Sequence, residues 1–393
     1  MPHGILKMVS VGDLHFGSPR IDASDLYRKL RKYLYPELKD AHLITVDGDI
    51  YDQLLMVNSK AYKFATMFIK DLFNLSAMTG CQVRLLHGTF SHDRDQISIF
   101  ESLAQPKTRF KIVNEISVEE IEGFQNGLDT VNCTLRLGYL PDNLSYRNAQ
   151  DAVDHLKRAM TVCGYGTLDV VVGHGTFLHT VAPGTPHLPA ITYTKEMFDD
   201  IVRGIVVMGH IHTPSRKYNI YYCGSFERMS HGEEEDKGFY VFTRDQSGKE
   251  GWRSRFVVNR EATPFLTVTP EGKDIPEIIH NFIEYINTHF PEKRGFVRVA
   301  HSDPEVRTTL HKVCAQQFDS ISYSSKALNT DDTEQALKVE DITLDIDDDV
   351  KPNKNNLGEL IWKFLEEHNN IAEVTREEIL STTNSVISEA YDR

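Results

Sequence analysis

Long apolar runs are missing from this 393-residue chain, and that absence argues against a membrane span. Apolar runs such as 168–172, broken by Asp169, and 205–208 are far too short to cross a bilayer. A signal peptide is missing too: the first apolar stretch, 5–11, leads straight into Asp13 and His15 and reads as a strand. Cysteine is scarce, with five residues, an odd number, and no CxxC pair. That pattern speaks against a disulfide framework or a zinc knuckle and suits reduced thiols in a cytoplasmic protein. There is no internal repeat. Positive charge is also short, since the net charge is -14. The deficit sits largely past residue 330, where seventeen acids face six Lys/Arg. An acidic total argues against a stand-alone, tight nucleic-acid binder, but not against one that borrows affinity from a partner.

Up to about residue 260, short apolar strands alternate with amphipathic helices. Strands are expected over 6–11, 43–46, 83–86, 131–137, 170–173, 205–208, 218–223, 238–242 and 253–258, and helices over 23–39, 59–77 and 149–162. Alternation early and strands in succession late predict an α/β (α+β mixed) fold with mixed sheets and helices outside. A smaller α/β unit follows: a strand at 265–268, a helix with Ile275, Ile278, Ile279, Phe282, Ile283 and Ile286 on one face, and a strand at 295–300. Asp303 and Pro304 then serve as N-cap and first turn of another helix, and 321–323 closes a βαβαβ unit. The expected divisions are 1–260, 261–344, a polar linker at 345–356, and a helical module at 357–393. The module holds helices over 357–368 and 376–391, the second opening with a capping box at Thr375 and Glu378. Two helices this short cannot bury their apolar faces alone, so they dock on their own domain or on a partner.

Five segments concentrate His and Asp at strand ends: GDLHFG (12–17), DGDIYD (47–52), HGTFSHD (87–93), VGHG around His174, and MGHIHTP (208–214). Their glycines allow backbone to come close to a ligand. Imidazoles and carboxylates without thiolate suit Mn²⁺, Fe or Zn²⁺ bound by N and O, with Mg²⁺ a further candidate. Two cations roughly 3.5–4 Å apart would need a bridging carboxylate, and would polarise a phosphate while acidifying water. Isolated histidines such as His3, His155, His280 and His368 carry no such pattern and read as structural.

The ordered set Asp13-x-His15, Gly-Asp49, Gly-His174 and Gly-His210-x-His212 resembles the calcineurin-like metallophosphoesterase superfamily over roughly residues 5–225. That resemblance implies a four-layer sandwich of two mixed sheets. It implies that Asp13, His15, Asp49 and His212 hold one metal, that Asp49 bridges, and that His174 and His210 hold the second. It gives His92 the role of protonating the leaving oxygen or steadying the phosphate, with Asp93 or Asp52 orienting its ring. One departure stands out: the family's asparagine ligand is replaced, on this reading, by Ser91, with Thr89 and Phe90 inserted after Gly88.

Within the superfamily, LLHGTFSHD, the turn CGSFER (223–228) and the succession of catalytic domain, small α/β unit, linker and terminal helices are similar to SbcD-type DNA repair nucleases. The chain's brevity is compatible with a phage version. The resemblance implies a Mn²⁺-dependent 3′-to-5′ exonuclease, with single-strand endonuclease activity a further option, acting on DNA ends or single-stranded DNA. The small unit would cap the catalytic domain and touch DNA. Residues 357–393 would grip an SbcC-type SMC-like ATPase, and a homodimer is a further expectation. The location expected is cytoplasmic, the host's if the chain is viral, and nucleoid-associated. Arg20, Arg28, Lys29, Arg31 and Lys32, with Lys293, Arg294 and Arg298 in the small unit, are candidate phosphate contacts. Two alternatives remain open from the residues alone: a phosphatase or phosphodiesterase of small phosphoesters, and a non-catalytic metal-binding scaffold for the ATPase.

Overall fold

Strand β1 (Ile5–Val11) turns Leu6 and Met8 to one face and Val9 and Val11 to the other, and the two pairs join different cores. A strand apolar on both faces must be covered on both. The computed structural model, which describes residues 4–142, 146–181, 191–290 and 292–328, meets that requirement with two packed six-stranded sheets. In the first, β1 pairs in parallel with β2 (Leu43–Val46), which leads on to β3 (Gln82–Leu86) and β4 (Arg109–Val113). Its other edge carries β13 (Gly238–Asp245) and β14 (Arg253–Val258), both antiparallel to their neighbours.

The second sheet runs in the order β11 (Ser215–Lys217), β12 (Ile220–Tyr222), β10 (Val202–Gly209), β7 (Leu168–His174), β6 (Asp129–Leu140) and β5 (Ser117–Asn126). Val170, Val172 and Val207 point into the core between the sheets, while Val171, Val206 and Met208 point outward onto α5 (Ala149–Val162). On the far side, α1 (Ala23–Tyr33) and α3 (Lys60–Thr79) cover the first sheet. Helix, sheet, sheet and helix make the four layers of a mixed α/β sandwich, as expected. A two-stranded ribbon, β8 (Thr176–Phe177) with β9 (Thr192–Tyr193), lies beyond β7.

The small unit is a parallel three-stranded sheet, β15 (Phe265–Val268), β16 (Gly295–Ala300) and β17 (Ile321–Lys326), with α6 (Ile275–His289) and α7 (Pro304–Gln317). Phe282, Ile286, Val297 and Leu310 give it its own core. Asp303 caps α7 by accepting from the Glu305 N–H, as its sequence position predicts.

Some elements differ from expectation. The helix expected over 23–39 is broken into α1 and α2 (Tyr35–Leu38), with Pro36, which has no N–H to donate, in the first turn of α2. The strand expected over 218–223 is part of a hairpin that turns at Tyr218, whose φ is 60°. Strands β4 and β5 were not anticipated, because their half-buried faces carry polar residues such as Glu119 and Glu120. By contacts the chain divides into Met1–Thr333 and Glu334–Arg393. The linker and terminal helices expected over 345–393 lie outside the described residues. Among those described, no helix is long and apolar enough to cross a membrane.

Lys29 sits on the inward face of α1 and is 1% exposed. Its ammonium reaches Glu227 at 2.7 Å, Asp25 at 2.9 Å and the Thr263 hydroxyl at 3.1 Å, tying α1 to the segment that enters β15. A buried, paired cation cannot meet a phosphate at the surface, which removes Lys29 from the candidate contacts. Replacing Lys29 with methionine strands the Glu227 carboxylate and is expected to cost about 3–5 kcal/mol. Replacing Arg28, whose pairs with Asp25 and Glu261 face solvent, should cost less than about 1 kcal/mol. Urea denaturation of the two variants beside the parent protein checks the contrast.

Candidate metal centre

The segments rich in His and Asp follow β1, β2, β3, β7 and β10, whose ends meet along one edge of the two sheets. Two of the connecting loops are zipped together. The N–H of Asp13 donates to the Gly48 carbonyl at 3.1 Å, that of His15 to Asp49 at 3.0 Å, and Phe16 bridges to Tyr51. Four of the expected ligands occupy left-handed backbone: Asp13 at φ 49°, His15 at 47°, Asp49 at 50° and His210 at 90°. Such conformations are costly for residues with a Cβ and gather where a site dictates geometry. Close approach adds a second constraint. A Cβ on Gly88 would lie 2.1 Å from the Asp49 nitrogen, and one on Gly209 would lie 2.3 Å from the Asp47 carbonyl.

Among the described residues, three groups of side chains could each hold a metal ion: Asp13, His15 and His212; Asp49, His174 and His210; and His15, Asp52 and His92, the first and last sharing His15. The first shows most directly why a cation fits. Nδ1 of His15 faces the Asp52 carboxylate at 3.1 Å, and Nδ1 of His212 faces Glu233 at 3.3 Å. Those partners put each ring's proton on Nδ1. The two Nε2 atoms are then left 3.2 Å apart, close enough to share one proton or to grip one cation. His174 follows the same pattern, donating from Nδ1 to the Asp47 carbonyl at 2.8 Å and turning Nε2 to Asp49 at 3.3 Å. The Asp13 carboxylate accepts from the His210 N–H at 2.9 and 3.1 Å, which joins the two sheets.

Three expectations need correction. Ser91 is exposed on the short helix α4 (Phe90–Asp93) and makes none of these contacts. Thr89 takes its place instead: its hydroxyl lies 3.2 Å from Asp49 Oδ2, 3.3 Å from His174 Nε2 and 3.4 Å from His210 Nδ1. Thr89 is the residue directly after Gly88, so the sequence signal was the position itself, with Phe90 and Ser91 as the insertion. Asp93 does not orient His92. It is fully buried and accepts from the N–H groups of Asp49 at 2.9 Å, Gly88 at 2.8 Å and Tyr51 at 3.0 Å, bracing two loops. Asp52 serves His92 through its main-chain carbonyl, which meets His92 Nδ1, while its carboxylate goes to His15. Glu233 was missed altogether, since nothing in the run HGEEEDK distinguishes it from its acidic neighbours.

Most of the candidate phosphate contacts are engaged elsewhere. Arg28 and Lys32 pair with Glu261, and Arg294 pairs with Asp25 and Glu292. Arg31 lies over the Tyr27 and Tyr35 rings, and Lys293 over Phe318. Arg20 donates to the Met229 carbonyl at 3.0 Å. Arg20 and Arg298 converge on His231, which burial and then these two cations push down to about 4.

Charge within the centre is tightly coupled. Burial would raise Asp49, yet the positive charge of His174 and then of His15 holds it far below the usual carboxylate range. Burial opposes a charged His174, but the Asp49 carboxylate more than offsets this and lifts the ring from 6.5 to about 10. Burial, then His174, pushes His210 down to about 4. Without a cation, a proton on His174 therefore compensates the carboxylates. Because that ring's value is raised on folding, its stabilising contribution is complete below about 6.5 and is lost as pH rises toward 10. A bound cation must displace the same proton, so metal affinity rises with pH and binding releases protons. Calorimetric titration with Mn²⁺ near pH 7, in buffers of different ionisation enthalpy, should show that release. His174→Gln should diminish it, and buffer-independent heats in the parent protein would contradict this account.

No family model matches the chain, and no curated protein matches it. Among solved structures it is similar to GAP50, the anchor in the inner membrane complex of Plasmodium, with 14% identity over 71% of this chain and 94% of that one and a TM-score of 0.41. Likeness at that TM-score does not establish a shared fold.

Proposed function

We propose that this chain is a metal-dependent phosphoesterase of the calcineurin-like superfamily, and within it an SbcD-type nuclease subunit that hydrolyses DNA phosphodiesters at strand ends. The observation that carries the reading is the convergence of Asp13, His15, Asp49, His174, His210 and His212 from both sheets onto one strained edge, with the Nε2 atoms of His15 and His212 3.2 Å apart. On this reading Asp13, His15, Asp49 and His212 hold one divalent cation, and Asp49, Thr89, His174 and His210 hold another. Mn²⁺ suits a donor set of imidazole, carboxylate and hydroxyl. The cations, when bound, supply Lewis-acid polarisation of the phosphate and a lowered water pKa.

The chain's own groups do the rest. Asp52 and Glu233 keep the His15 and His212 rings in the tautomer that leaves Nε2 free. Asp93 holds the loops carrying Asp49 and Gly88 at their separation. His92, half-buried with Nδ1 on the Asp52 carbonyl and its ring centroid 4.9 Å from that of His15, is placed to give a proton from Nε2 to the leaving oxygen. The preference for DNA over small phosphoesters leans on the sequence resemblance and on the small α/β unit beside the sandwich. The SbcC-type partner, reached through 357–393, belongs to the same reading, as does a cytoplasmic, nucleoid-associated location.

Purified protein with Mn²⁺ should cut end-labelled duplex or single-stranded DNA, and His92→Ala should lower the rate by about 10²–10⁴-fold while leaving Mn²⁺ binding intact. Hydrolysis of a phosphoprotein or nucleotide with no cleavage of DNA, alone or with the ATPase, would reject the nuclease reading. Thr89→Val should weaken one of two Mn²⁺ equivalents in a calorimetric titration, whereas Ser91→Ala should leave both unchanged.

A further inference from the structure

Away from the metal centre, a pocket of about 360 Å³ opens where the segment following β14 enters the small unit. It falls within the size range of roughly 300–1,000 Å³ typical of small-molecule sites. Three arginines, Arg228, Arg260 and Arg294, line it together with an apolar wall of Pro264 and Leu266. Two carboxylates also line it, but both are already engaged: Glu261 by Arg28 and Lys32, and Glu292 by the Nε of Arg294 at 2.7 Å. Among the described residues, Arg228 meets no carboxylate. Its Nη atoms donate to the main-chain carbonyls of Ala262, Glu234 and Glu235, and its buried Nε has no acceptor. A buried guanidinium N–H without a partner is uncommon and marks a place where an acceptor is missing. Arg260 is exposed and has no ion-pair partner among the described residues. On another side of the pocket, the His289 ring lies flat on Tyr285, with centroids 4.1 Å apart.

Uncompensated guanidinium donors select a doubly charged oxyanion, and an apolar wall with a flat ring beside it selects a planar, weakly polar appendage. We propose that this pocket is a second ligand site of the protein and takes a nucleoside monophosphate, the phosphate on Arg228 and Arg260 and the base against Leu266 and Pro264. The ligand can be a free mononucleotide or the phosphorylated terminal nucleotide of a strand. The site does not depend on the chemistry of the metal centre.

The test is calorimetric titration of the full-length protein, with cations removed by chelator, against deoxyadenosine monophosphate, deoxyadenosine and inorganic phosphate. Binding of the monophosphate more tightly than of either fragment is expected. Arg260→Gln, at an exposed position outside the core, should weaken it about tenfold or more, the scale of one charge-assisted hydrogen bond. Asp49→Asn, which disables the metal centre, should leave affinity unchanged, so failure here and failure of the nuclease reading are separable. Oligonucleotides with and without a 5′-phosphate separate the sources: tighter binding of the phosphorylated strand than of the free nucleotide assigns the site to strand ends, and the reverse order assigns it to free nucleotides. Equal affinity of the parent and Arg260→Gln, or phosphate binding with no gain from the nucleoside, would overturn the proposal.

Discussion

At the edge where the two sheets meet, a pair of imidazole nitrogens is held 3.2 Å apart, with a carboxylate behind each ring. Two ring nitrogens so close need a shared proton or a cation between them. Holding them there requires Asp52 behind one ring, Glu233 behind the other, and Lys237 behind Glu233 at 2.9 Å. It also requires loops that cannot relax. Much of the polar order around the centre can be traced outward from this contact, through carboxylates to backbone N–H groups to strand ends.

The unfavourable terms near the centre are of several kinds. Non-glycine residues in left-handed backbone carry of order 1–3 kcal/mol each, and Asp13, His15, Asp49 and His210 are all in that state. Asp93 is fully buried, and burial, then the charge of Asp49, pushes it up to about 6 despite three N–H donors. Such a constellation persists only where the surroundings over-determine it. Here the surroundings are a core whose strands are apolar on both faces, with β1 and β10 contributing residues to both of their neighbouring layers.

How much of this was legible beforehand follows from the kind of signal each residue leaves. Strands β15 and β16 could be placed to the residue because alternation and an N-cap with proline are local features. The six expected His and Asp ligands were legible because four follow a glycine directly, Asp13, Asp49, His174 and His210, while His15 and His212 stand two residues beyond two of these. Thr89 was passed over because a threonine after glycine has no periodicity, and only the fold shows its hydroxyl among Asp49, His174 and His210. Glu233 and the main-chain roles of Asp47 and Asp52 could not be read at all. A carbonyl that fixes a tautomer leaves no mark on its own side chain, and an acid among acids carries no distinguishing neighbour. Lys29 shows the opposite error: a cation in a basic stretch looks like surface until the acid that neutralises it, far off in sequence, is seen beneath it.

The ligands are divided between the sheets, with Asp13, His15 and Asp49 on loops of the first and His174, His210 and His212 on loops of the second. The groups Asp13, His15 and His212 and Asp49, His174 and His210 each draw on both sheets, so an ion held by either would favour the docked sandwich over the open chain. Such an ion acts as a rivet, adding to the folded state a free energy that grows with the logarithm of its free concentration. With such an ion in place, the durability of the molecule would follow the trace-element supply of its surroundings, the same polypeptide being a sturdier object where that supply is rich than where it is poor.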